Sequence, residues 1–127
     1  MDLKLESRDG FLLATATGRV SLSEAIRVFT KACDVAAEKG LNRILVDCSL
    51  VKGELSTLER YELGRTVAEH CNSRSMTPKV ATVGKPPVVD GFAALVASNR
   101  GVVAETFSEL ESALGWLNRF GSKATAT

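Results

Sequence analysis

The chain has little of what most enzymes use. Its 127 residues include one histidine, one tyrosine, one tryptophan and three cysteines. The cysteines, Cys33, Cys48 and Cys71, are odd in number, form no CxxC pair and have only His70 to help them ligate a metal. That argues against a zinc site and a disulfide framework. The thiols read instead as buried groups in a reducing cytoplasm. No GxSxG elbow occurs. Gly84-Lys85 lacks the upstream glycine and the following Ser or Thr of a phosphate loop, and Gly18 alone is no dinucleotide fingerprint. His70 and Cys71 adjoin on one helix, where successive side chains diverge by about 100°, so they do not face each other as base and nucleophile. The expectation is a non-enzymatic protein with no cofactor and no metal.

Long apolar runs are missing as well. Nothing approaches the roughly 18 residues of a membrane span, and Met1-Asp2-Leu3-Lys4-Leu5-Glu6 alternates where a signal peptide would not. Neither sign of charge dominates: sixteen basic residues against fifteen acidic leave a net +1. That balance gives no electrostatic drive toward nucleic acid or an anionic membrane. A soluble cytoplasmic protein is expected.

What is present is regular patterning. The length suits one domain, taken as residues 1–120, with 121–127 as a frayed tail. Residues 2–7 alternate as an edge strand, Arg8-Asp9-Gly10 is a hairpin turn, and Phe11 to Thr17 forms a second strand. Ser21-Leu22-Ser23-Glu24 is a capping box opening a helix with Ile26, Phe29, Cys33 and Ala36 on its inner face, stopped by Gly40. Arg43 to Ser49 is apolar enough for a strand covered on both sides. Ser56-Thr57-Leu58-Glu59 opens a second helix to about Asn72, with Leu63, Val67, His70 and Cys71 inward and Arg65 pairing with Glu69 outside.

Residues 79–84 form a fourth strand, and Pro86-Pro87 stiffens the loop after it. A helix is predicted over 88–99, closed by Gly101. A strand follows over 102–107. A third box, Ser108 to Glu111, starts a last helix with the stripe Leu110, Ala113, Leu114 and Leu117. Trp116 falls at the rim of that stripe. The order β-β-α-β-α-β-α-β-α predicts an α/β domain: one mixed five-stranded sheet with right-handed crossovers and helices on both faces.

This pattern resembles the SpoIIAA-like branch of the STAS superfamily, relatives of the anti-sigma-factor antagonists. The likeness spans about residues 3–118. It is carried by Gly18 before the capped helix, Ile44-Leu45-Val46-Asp47, Tyr61-Glu62-Leu63, Asn99-Arg100-Gly101-Val102, and Phe107, Ala113 and Trp116-Leu117. The resemblance implies a small mixed α/β domain, a fold shared with CRAL-TRIO lipid-exchange proteins, and no enzyme activity. Antagonists of this kind carry a phosphorylatable serine in Asp-Ser-Ser-Gly at the start of the second helix. Here that region reads Glu54-Leu55-Ser56-Thr57-Leu58, which keeps a hydroxyl pair but neither the Asp nor the Gly. A phosphate there would meet free N–H groups and the helix dipole, while N-capping alone also accounts for Ser56.

In open α/β sheets, ligands gather beyond the carboxyl ends of the strands. That places Arg19, Asp47, Ser49, Lys85 and Asp90 at one mouth, with Ser56 nearby. The alternative is that Asp47 caps a loop and Lys85 is merely solvated. The candidate binding residues are Asp47, Ser49, Ser56, Thr57, Tyr61 and Lys85. Two readings follow. One is a regulatory module docking a protein partner or itself. The other binds a small apolar or lipid ligand in a pocket between the third helix and the sheet, with Phe92, Leu95 and Val96 as a lid.

Overall fold

The structure is a computed structural model that describes the backbone of residues 1–125 and the side chains through residue 120. Strand β1 (Asp2–Arg8) turns through Asp9 and Gly10 into β2 (Phe11–Arg19), pairing antiparallel from Asp2↔Thr17 to Arg8↔Phe11. Both turn residues have positive φ, 43° and 84°, which matches the twist of a two-residue hairpin. Four helices and three strands follow: α1 (Leu22–Glu38), β3 (Arg43–Lys52), α2 (Thr57–Ser73), β4 (Lys79–Val83), α3 (Phe92–Ser98), β5 (Val103–Phe107) and α4 (Leu110–Thr125). The frayed tail expected over 121–127 falls where side chains, and at 126–127 the backbone too, lie outside the described residues.

The sheet order is β1-β2-β3-β4-β5, with every pair after the hairpin parallel. Each crossover therefore steps one strand in the same direction. Right-handed crossovers stepping one way deposit their helices on one side, so α1, α2 and α3 share a face. After β5 no further strand follows among the described residues, and α4 folds back over the other face. The mixed sheet with helices on both sides matches the reading of the sequence.

Two cores result. The larger joins Leu12, Ile44, Val46 and Val80 to Val28, Leu63 and Val67. The smaller joins Phe11, Leu45, Ala81 and Val83 to Ala113 and Leu117. Arg43 pins the second arrangement by donating to the Leu117 carbonyl at 3.2 Å and the Asp9 carbonyl at 3.3 Å. Trp116 stands at its rim, with its ring 5.7 Å from that of Phe107.

Several details depart from the periodicity. The inner stripe of α1 is Ala25, Val28, Ala32, Cys33 and Ala36, with Ile26 and Phe29 only partly covered. Small residues let α1 lie close to the sheet, so the larger side chains are pushed to its flanks. The Ser21 box is half formed: Ser21 Oγ accepts from Glu24 N–H at 3.4 Å, but the Glu24 carboxylate turns to Arg27 at 2.6 Å. Helix α3 begins at Phe92 rather than 88, because Asp90 Oδ1 captures the Phe92 N–H at 3.0 Å and Gly91 takes φ 90°. Helix α4 begins at Leu110, leaving Glu109 rather than Ser108 in the capping position. Leu110, the first residue of α4, is itself exposed.

Candidate functional site

Strand β3 runs three residues past its predicted end, to Lys52, and carries a bulge. Thr15 pairs with Asp47 and Thr17 with Leu50, so β3 holds one residue more than β2 over that step. The extra residue lets Cys48 and Val51 both face the larger core. It leaves Ser49 and Leu50 in solvent, Leu50 at 65% exposure. Asp47 Oδ1 accepts the Ser49 N–H at 3.0 Å and so shapes the bulge. Asp47 is therefore occupied with its own backbone.

Beyond the bulge Leu55 is buried and anchors the entry to α2. Ser56 Oγ accepts from Glu59 N–H at 3.1 Å, and Ser56 N–H donates to Glu59 Oε1 at 2.8 Å, a complete capping box. Thr57 and Leu58 are exposed beside it, Leu58 at 71%. Tyr61, one turn on, is half-buried; its hydroxyl accepts from Arg100 at 3.0 Å, and the guanidinium lies 5.4 Å from its ring centre. Tyr61 thus ties α2 to the end of α3. Lys85 is exposed and lies 3.6 Å from Glu109, the residue before α4.

The six predicted residues do not form one cluster. Ser56, Thr57 and Tyr61 belong to the start of α2. Asp47 shares the sheet face of Leu45, which α4 covers, Lys85 reaches toward α4, and Ser49 sits at the bulge. The single mouth expected at the strand ends divides between the two sides of the sheet.

Sequence reasoning missed three residues. Leu50 and Leu58 stand exposed on either side of the β3–α2 connection. Arg60, whose side chain is only 12% exposed, ion-pairs with Asp90 and donates to the Pro87 carbonyl, clamping α2 to the loop before α3. A surface arginine reads as solvated, so nothing in the periodicity signals this clamp. His70 is also displaced from its predicted place: it lies at the α1–α2 edge, 2.7 Å from Asp34.

Behind the clamp lies an apolar cavity of about 100 Å³, walled by Val28, Leu63, Val67, Val89, Ala93 and Val80. Gly64 brings α2 and α3 together beside it: a Cβ there would sit 2.4 Å from the Ala93 carbonyl. The Cys48 thiol at the cavity wall is pushed up to about 12 by burial and by the nearby Asp47 charge, so it is protonated at neutral pH. The Cys33 thiol is raised by its hydrogen bond with Cys71, 3.7 Å away, and by burial. Neither is a ready nucleophile. Among the described residues, no three His, Cys, Asp or Glu side chains are grouped to hold a metal ion. No helix among them is long and apolar enough to cross a membrane.

The arrangement is a SpoIIAA-like fold. An anti-sigma factor antagonist from Mycobacterium paratuberculosis is similar over 92% of this chain and 93% of its own, with a TM-score of 0.62 and 14% identity. An uncharacterised protein of the DUF3478 family with a SpoIIAA-like fold, from Shewanella loihica PV-4, is similar over 91% and 92%, with a TM-score of 0.52 and 18% identity. At such identities the likeness is one of fold. No protein-family model matches the sequence, and no curated protein is similar to it.

Proposed function

We propose that residues 1–120 form one non-enzymatic regulatory domain that acts in the cytoplasm by docking a protein partner at the β3–α2 apex. The observation that carries this reading is the pair of exposed leucines, Leu50 and Leu58, which flank the β3–α2 connection in company with Ser49, Ser56 and Thr57. Isolated exposed apolar side chains are ordinary, but one in β3 and one in the capped first turn of α2 offer a partner apolar area on regular backbone, at a lower ordering cost. The name of the Mycobacterium neighbour supports a regulatory role. Near-neutral charge supports a protein rather than a nucleic-acid partner. Ser56 is committed to its capping box and the flanking Asp and Gly are missing, so docking here needs no phosphate.

Affinity purification from the native cell tests this, comparing wild type with L50K/L58K and with the distant control L110K. A stoichiometric partner retained by wild type and L110K, and lost by L50K/L58K, is the expected result. A partner bound equally by all three overturns the apex as the docking surface.

The cavity favours a second reading, a small-ligand domain. At about 100 Å³ it is well below the roughly 300–1,000 Å³ of drug-sized sites. That volume suits a small apolar fragment, whereas an acyl chain would require α3 to swing away from the sheet. Native mass spectrometry of protein purified from its source tests this reading through the mass of any retained ligand.

A further inference from the structure

The free edge of the sheet carries a message of its own. Strand β1 ends the strand order and pairs with β2 without a register break along its seven residues. Its Asp2, Lys4, Glu6 and Arg8 share one face, with charge alternating along the row. They lie opposite Thr17, Thr15, Leu13 and Phe11 of β2, none of which is charged. Within the chain Arg8 meets Glu6 at 3.3 Å, a contact between exposed groups two residues apart. Among the described residues, helix α4 packs over β3, β4 and β5 rather than over this face of β1.

We propose that β1 pairs antiparallel with β1 of a second copy of this chain, about a two-fold axis through Leu5. Arg8 and Phe11 flank the two-residue turn and so form its closing hydrogen-bonded pair. Alternation then turns the N–H and C=O groups of Leu3, Leu5 and Ser7 toward the free edge. Pairing most of the strand while satisfying those groups confines the symmetric registers to its middle, centred on Lys4, Leu5 or Glu6.

The charges choose among them. Centred on Lys4, lysine faces lysine and Asp2 faces Glu6. Centred on Glu6, glutamate faces glutamate and Lys4 faces Arg8. Centred on Leu5, Asp2 faces Arg8 and Lys4 faces Glu6, each twice over by symmetry. These pairs fall at the non-hydrogen-bonded sites, where cross-strand side chains approach most closely. A row of one sign would repel a second copy and protect the edge; an alternating row attracts it in one register. The geometry leaves room. Strands about 4.8 Å apart place the two α1 helices, each over β2 and β3, about 19 Å from one another, beyond the 10–12 Å diameter of a helix.

This inference is independent of the docking surface proposed above. Sedimentation equilibrium of the full chain tests it. Wild type is expected at twice the 13.5 kDa chain mass. The single reversals K4E and E6K each raise the dimer dissociation constant roughly tenfold or more, because symmetry counts each change twice. The double swap K4E/E6K restores opposite charges across the axis and returns the dimer, which also shows that the exposed substitutions leave the fold intact. L50K/L58K leaves the dimer unchanged. A wild-type chain that stays monomeric at high micromolar concentration overturns the proposal, as does a dimer indifferent to the single reversals or not restored by the swap.

Discussion

Gly64 of α2 lies so close to α3 that a Cβ added there would come within 2.4 Å of the Ala93 carbonyl oxygen and 2.8 Å of the Val96 Cβ. The nearest atom is backbone and cannot rotate aside. Alanine ordinarily improves a helix interior by about 1 kcal/mol over glycine. Here G64A is expected to lower stability instead, by about 1–3 kcal/mol of overpacking. A urea midpoint below that of wild type is the expected result, and a raised midpoint contradicts the close seam.

Ser56 and Glu59 cap one another across the first turn of α2. S56A is expected to cost about 1 kcal/mol, while S56D should be nearly neutral because aspartate caps as well as serine. Chemical denaturation of the two variants separates a capping role from any other.

The two cores respond differently from the surface. Leu45 is fully buried beneath α4, and L45A should cost about 2–5 kcal/mol in transfer and cavity terms. Leu110, at the start of α4 and 45% exposed, should tolerate alanine within about 0.5 kcal/mol. Thermal melts of L45A and L110A give the comparison.

Acid should destabilise the fold in a defined window. The Glu24 carboxylate is held down to about 2 by its hydrogen bond to Arg27 and by the N-terminal ammonium, against an ordinary value of 4.5. Burial raises Asp34, but the hydrogen bonds from His70 and Arg74 outweigh it and leave it lowered; Glu62 is lowered beside Arg65. A depressed carboxylate stabilises fully above its unfolded value and stops doing so as pH falls through its folded one. Stability should therefore be level near neutrality and decline from about pH 4.5 toward pH 2. Melting temperatures across that range check the slope, which E24Q should flatten.

The elements most legible in the sequence are those fixed by neighbours along the chain. Asp9-Gly10 specifies its hairpin, Ser56 and Glu59 specify their cap, and the strand–helix alternation specifies the layers. What was hidden depends on contacts between distant segments. Periodicity favoured Ile26 and Phe29 because they are large, whereas the close approach of α1 selects Ala25, Val28 and Ala32. Asp90-Gly91 spells a turn, but the apolar Val88 and Val89 masked it as helix. The bulge that exposes Leu50 arises from the mismatch between β2 and β3, which neither strand shows alone. The Arg60–Asp90 clamp and the cavity behind it belong to that same class of long-range fact.

The most direct test of the docking account is calorimetric titration of the recovered partner into wild type and into L50K/L58K. Loss of both exposed leucines should weaken binding at least about tenfold, equivalent to roughly 1.4 kcal/mol, with folding unchanged. Equal affinity for the two proteins would place the docking surface elsewhere on the molecule and remove the β3–α2 apex from it.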